Sequence, residues 1–254
     1  MKYMLKSIDH IKFDYLDADI FIDVGGNIGS WTIEMLDLHK KIIFIEPSHS
    51  AIEQAKARIK KHCDILNCPQ KAEKVEYHKI LCSNVKGEKH SIVSHSGNTA
   101  NFSIYAEDLY GKEGVAIRED YIETTNLDSF IEQIKEESKV LIKIDTEGCD
   151  LDIILGASEL IKKCKPALLV EMHWHMYYNQ EKKDAVFQLL NTLGYKYHIY
   201  KMEHYEKNPN QIFDHKHNGA QMSNLHFHMV MHHPSYGAKM ESYSAEPINP
   251  PQIN

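Results

Sequence analysis

Four acidic residues follow apolar runs in this chain: Asp23 after Ile20-Phe21-Ile22, Glu46 after Ile42–Ile45, Asp145 after the V-L-I-K-I run from Val140, and Glu171 after Leu168–Val170. Short apolar runs of this kind read as strands buried on both faces. In an open parallel sheet the ligand crevice lies beyond the carboxyl ends of the strands. The four acids are therefore expected to line one rim of one crevice. A rim of carboxylates repels phosphate and accepts a cation or a pair of hydroxyls.

The first acid is followed at once by a tight turn holding Gly25, Gly26, Asn27 and Gly29, and Ser30 is placed to cap a helix with Trp31, Ile33, Met35, Leu36 and Leu38. Strand, glycine turn and helix together open a nucleotide-binding α/β unit. The glycines are read as bare backbone against which a ligand lies, where a Cβ would block it. A dinucleotide fingerprint, G-x-G-x-x-G, would need glycine where Val24 stands. The D-x-G-x-x-x-G arrangement instead suits S-adenosylmethionine, which carries an ammonium and a sulfonium and no phosphate. Glu46, about twenty residues past the turn, is at the distance where a second-strand carboxylate meets ribose hydroxyls. Expected cofactor contacts are Asp23, Gly25, Gly26, Asn27, Gly29, Ser30, Glu46, Pro47, Ser83 and Asp145.

Methyl transfer to a hydroxyl is an in-line displacement, and the protein must hold the nucleophile near the methyl carbon and remove its proton. Asp145 and Glu147, in I-K-I-D-T-E-G, and His173 fall where that chemistry would occur. His173 is the expected general base, since imidazole titrates near neutral pH. Glu147 would orient the acceptor, and Asp145 would stand near the methionine part or the acceptor. The rival reading converges Asp145, Glu147, His173 and His175 on a divalent metal, which would acidify the acceptor directly; it is not the favoured one. Lys143, on the same strand face as Asp145, is expected to pair with a neighbouring acid.

The elements that position these groups alternate between strand and helix. Beyond Ile20–Val24 come a strand at Lys41–Glu46, a helix capped by Ser48 or Ser50 and carrying Ala51, Ile52, Ala55 and Ile59, and a third strand over Val75–Leu81. The turn Cys82-Ser83-Asn84 then lies where an adenine would sit. Residues 90–125 show little periodicity and are read as an acceptor-binding insertion. A helix with Leu127, Phe130, Ile131 and Ile134 precedes the strand Val140–Asp145, and Leu151, Ile154, Leu155 and Ile161 carry the next helix. The rest reads as a strand opened by Pro166, a helix Glu181–Leu193 closing on Gly194, and strands at Tyr195–Tyr200 and Asn224–Met231. His226, His228, His232 and His233 read as surface residues.

A chain of 254 residues with 43% hydrophobic and 26% charged residues suits one α/β domain. The expected organisation is a single domain over 1–254, with a short leading segment at 1–19 and a loosely ordered tail at 235–254. A net charge of -7 argues against a protein built to grip nucleic acid. Five cysteines, odd in number, read as reduced thiols in a cytoplasmic protein. No apolar run approaches the length of a membrane span.

The stretches D-V-G-G-N-I-G-S-W-T, I-F-I-E-P, T-T-N-L-D-S-F and I-K-I-D-T-E-G-C-D-L-D-I-I-L-G-A, followed by P-A-L-L-V-E-M-H, resemble the FkbM-type methyltransferases. The resemblance covers roughly residues 20–175. It implies a Rossmann-like α/β fold with helices on both faces of a seven-stranded, mostly parallel sheet, order 3-2-1-4-5-7-6 with strand 7 antiparallel. It also implies S-adenosylmethionine as cofactor and O-methylation of a sugar, glycan or small-molecule natural product. Alternatives are an RNA or protein methyltransferase and a non-catalytic module of the same fold. Oligomeric state and acceptor identity do not follow from the sequence.

Overall fold

The computed structural model describes residues 18–95, 102–103, 115–173, 180–203 and 226–236, with side chains at 18–92, 121–171, 180–197 and 229–236. Its strands are β1 (Ile20–Val24), β2 (Lys41–Ile45), β3 (Val75–His78), β4 (Leu81–Cys82), β5 (Lys89–His95), β6 (Phe102–Ser103), β7 (Val115–Thr125), β8 (Val140–Ile144), β9 (Ala167–His173), β10 (Lys196–Glu203) and β11 (His226–His232). Seven of them form one sheet in the order β10-β11-β9-β8-β1-β2-β3. β1 pairs in parallel with both β2 and β8, β2 with β3, and β8 with β9, while β11 runs antiparallel to β9 and β10. The chain winds outward from β1 to β3 and then returns to β8, so the topological switch point lies between β1 and β8.

The remaining strands form a second sheet, β4-β7-β5-β6. The main sheet has seven strands, and the four of the second sheet, which the sequence reading did not anticipate, bring the number to eleven among the described residues. In whole-chain numbering the main sheet reads 3-2-1-8-9-11-10, because four strands intervene. The expected third strand over Val75–Leu81 splits in two: β3 stays in the main sheet, and β4 pairs with β7 through Leu81 opposite Thr124. The long antiparallel pair β5–β7 escaped the sequence reading because its register shifts at His90/Ile92 and Ile92/Val93 interrupt the two-residue alternation.

Alternation along the main strands builds two cores. Ile20, Ile22, Val24, Ile142 and Ile144 face one cluster, and Phe21, Ile42, Phe44, Leu141 and Leu169 face the other. The first is covered by α3 (Asp150–Leu155), α4 (Ser158–Cys164) and α5 (Gln180–Thr192), and the second by α1 (Ser30–Met35) and α2 (His49–Ile65). Buried aliphatic side chains contribute about 1.5–3 kcal/mol each, which is why both faces need helices.

Several local expectations change. Ser30 is the first residue of α1 and not its cap; Gly29 takes the cap position at φ 77°, and the Ser30 hydroxyl accepts from Arg58 Nη1 at 3.2 Å. Ser48 does cap α2, accepting from Ala51 N at 3.3 Å. The segment Leu127–Gln133 is a 3-10 helix. The helix expected through Leu151 and Ile161 is two short ones, α3 and α4, parted at Gly156, where a Cβ would lie 2.3 Å from the Ser83 carbonyl oxygen. His232 is buried and not on the surface. No helix among the described residues is long and apolar enough to cross a membrane.

Candidate active site

The carboxyl ends of β1, β2 and β8 border a cavity of about 230 Å³ that reaches β4 and α3. Glu46, Asp145, Glu147 and Glu171 line it, so three of the four acids expected at strand ends share one crevice, although β9 runs on past Glu171 to His173. Gly25, Asn27 and Pro47 also line it.

Asp23 does not line it. It is the fourth residue of β1 and has no exposure, so alternation turns its side chain into the sheet face covered by α1. There Thr32 Oγ1 donates to Asp23 Oδ2 at 2.7 Å. Lys143, opposite Asp23 in the register of β1 and β8, places Nζ 3.3 Å from Asp23 Oδ1 and 3.3 Å from Asp145 Oδ2. The same ammonium donates to Gly25 O at 2.8 Å. Burial works to lower the Lys143 pKa, but Asp145 and Asp23 overcome it and hold the group above its ordinary value. Lys143 thus ties Asp23, the glycine turn and Asp145 into one charged unit beneath the cavity.

Glu46 follows β2 directly and is 4% exposed. Its two carboxylate oxygens accept from Ser48 N at 2.9 Å and Asn27 N at 3.0 Å. Burial pushes its pKa up to about 7, against the lowering effect of those amides and of Lys143. An ionised carboxylate offers about four acceptor positions, so the two amides leave room for two further donors.

Packing within the protein supplies a reason of its own for the glycines. A Cβ on Gly25 would lie 1.9 Å from the Asp145 carbonyl oxygen, and one on Gly26 would lie 2.3 Å from the Phe44 ring. On Gly29 it would meet Ala55 Cβ at 3.2 Å and Ile59 Cδ1 at 3.3 Å. A side chain at any of the three would therefore meet protein atoms. Gly26, Gly29 and Ser30 are not among the cavity residues, nor is Ser83, whose amide donates to Thr125 O at 2.8 Å.

On the other side of the cavity the chain turns sharply after β8. Glu147 adopts φ 51° and Gly148 φ 108°, and Asp150 Oδ1 braces the turn by accepting from Thr146 N at 3.1 Å and Thr146 Oγ1 at 2.9 Å. This turn brings Asp145, Thr146 and Glu147 to the same wall. His173 is the last residue of β9, opposite His226 of β11; its side chain and all of His175 lie outside the described residues. Among the described residues no three His, Cys, Asp or Glu side chains gather to hold a metal.

Cys82, expected beside the adenine, does line the cavity, whereas sequence reasoning missed the apolar wall formed by Ile80, Leu81, Ile92 and Ile153, and with it the thiol of Cys149. Burial pushes Cys82 up to about 12 and also raises Cys149, so both stay neutral. No signal in the sequence placed Ile92 there, because it arrives from the second sheet. No lysine or arginine is among the lining residues described. The cavity therefore combines an apolar wall, a carboxylate able to take two hydroxyls, and further acids suited to a cation.

Fold and cleft together define a Rossmann-like α/β protein with its site at the switch point. The sequence model of the Methyltransferase FkbM domain matches residues 23–197, and the chain belongs to that family. Methyltransferase FkbM from Methylobacillus flagellatus KT superposes with a TM-score of 0.51 at 14% identity, over 85% of this chain and 44% of that one. The chain thus spans less than half the length of that relative. SMU.1697c of Streptococcus mutans, a putative methyltransferase in complex with SAH, gives a TM-score of 0.43 at 10% identity, covering 92% of this chain and 100% of its own. Precorrin-6y C5,15-methyltransferase from Geobacter metallireducens GS-15 gives 0.42 at 11% identity, covering 89% and 85%. No curated protein matches the chain.

Proposed function

We propose that this chain is an S-adenosylmethionine-dependent methyltransferase that methylates a hydroxyl of a sugar, glycan or small-molecule natural product in the cytoplasm. One observation carries the reading: the buried Glu46 carboxylate, held by the Asn27 and Ser48 amides at the rim of a cavity without lysine or arginine among its described lining residues. When bound, the cofactor supplies an electrophilic methyl group. Glu46 accepts its ribose hydroxyls, and the wall of Ile80, Leu81 and Ile92 receives its base. Asp145, anchored by Lys143, faces its cationic end. Glu147 orients the acceptor hydroxyl, and His173 takes its proton. Residues 90–125, which contribute β5 to β7, are the acceptor-binding insertion.

Calorimetry with S-adenosylhomocysteine tests the cofactor reading: no binding at high micromolar ligand overturns it. A labelled-methyl transfer screen against hydroxylated glycans and small molecules tests the acceptor class; transfer only to RNA or protein overturns that part alone. His173→Ala with wild-type turnover at saturating acceptor removes His173 from the mechanism.

A further inference from the structure

A second concave surface shares no lining residue with the cleft. It runs along the end of α2 and the 3-10 segment Pro69–Lys74, with Lys56, Lys60, Cys63 and Tyr77 in its walls. Lys56 Nζ stands 5.4 Å from the Tyr77 ring centre, and Cys63 is fully buried at the groove's base.

The way α2 ends explains what sits there. Asn67 takes a left-handed conformation at φ 52°, its amide donates to Asp64 O at 3.2 Å, and the Cys68 amide donates to Cys63 O at 2.9 Å. This pair of bonds closes a helix on a left-handed residue, and it commonly sets the side chain just past that residue against one in the last turn. Here both of those residues are cysteines. Both belong to the same buried cluster. The path from one Cα to the other through the Cys63 carbonyl and the Cys68 amide spans at most about 7 Å when straightened. Bond angles shorten it into the ~4.4–6.8 Å range of bridged cysteines. Both residues are almost fully buried, with Cys68 slightly more accessible at 7%.

We propose that Cys63 and Cys68 form a dithiol that a peroxide closes into a disulfide across the end of α2. The Cys68 sulfur attacks hydrogen peroxide, the O–O bond breaks, and Cys68 becomes a sulfenic acid with release of water. The Cys63 sulfur then forms the S–S bond, and the departing hydroxide leaves as water with the Cys63 proton. Two thiols lose two electrons and two protons, and the peroxide is reduced to two waters. A thiol reductant reverses the bridge. Cys164, half-buried and distant in the chain from both, serves as an internal reference.

The test treats the folded 254-residue chain with hydrogen peroxide, blocks the remaining free thiols with an alkylating agent under denaturing conditions, and maps the cysteine peptides by mass. The expected product is the single tryptic peptide that holds Cys63 and Cys68, unalkylated and lighter by two hydrogens, a change lost on reduction and absent in both Cys63→Ser and Cys68→Ser. Asn67→Val, which disfavours the left-handed cap without touching a sulfur, should slow the cross-link several-fold. The proposal is overturned if both residues remain fully alkylated at a dose that oxidises Cys164. It is equally overturned if Cys68 accumulates as sulfinic acid without a bridge.

Discussion

Asp23 and Lys143 stand opposite one another on adjacent parallel strands, their charged atoms 3.3 Å apart and their side chains 0% and 4% exposed. Removing one member of a buried pair leaves the other charge unpaired and typically costs about 3–5 kcal/mol. Lys143→Met should therefore destabilise the chain by about that amount, read as a lowered urea midpoint with an unchanged slope. Asp23→Asn should also lower stability. If Asp23→Asn instead keeps full stability and loses only ligand affinity, its carboxylate faces the ligand and not Lys143.

Glu46 predicts a pH dependence with a definite sign. Its folded pKa of about 7 lies above the ordinary 4.5, so the neutral acid is favoured in the folded chain. The associated stability is complete below pH 4.5 and is lost as the pH rises through about 7, a difference of ~3 kcal/mol. Ligand hydroxyls need the carboxylate, so S-adenosylhomocysteine binding should weaken as the pH falls below about 7. Glu46→Gln should flatten both profiles and lower affinity by roughly tenfold to a hundredfold. An unchanged binding profile in Glu46→Gln would show that the ribose lies elsewhere.

The glycine turn can be probed by restoring space. Gly26→Ala drives a methyl into the Phe44 ring, so it should destabilise the chain, and Phe44→Leu in the same molecule should recover much of the loss. Gly25→Ala meets the Asp145 backbone carbonyl and has no such remedy. Thermal melts of the two single variants and the Gly26→Ala/Phe44→Leu double variant decide it. Additive effects of Gly26→Ala and Phe44→Leu would contradict the packing account.

Asp150 braces the turn that carries Glu147 without lining the cavity itself. Asp150→Ala should cost about 1–3 kcal/mol of stability and lower kcat more than it weakens S-adenosylhomocysteine binding. A variant with intact turnover would mean that the Glu147 turn holds its shape without the carboxylate.

The chain's own pattern determined the strand-and-helix alternation, the pair β1 and β2, the acid after β8 and the placement of Glu46, because strands buried on both faces read as unbroken apolar runs. It also placed Lys143 beside an acid, since residues two apart on a strand share a face. Only the tertiary structure decided where Asp23 points. A residue at the fourth position of a five-residue strand is sent to one face or the other by the pleat, and the register with β8 set Lys143 against it. The glycines likewise owe their identity to Phe44, Ala55, Ile59 and Asp145, partners far along the chain that no local pattern reveals. The second sheet was hidden for a related reason: bulges between β5 and β7 erase the alternation by which strands are recognised, so their pairing becomes visible only across the ladder itself.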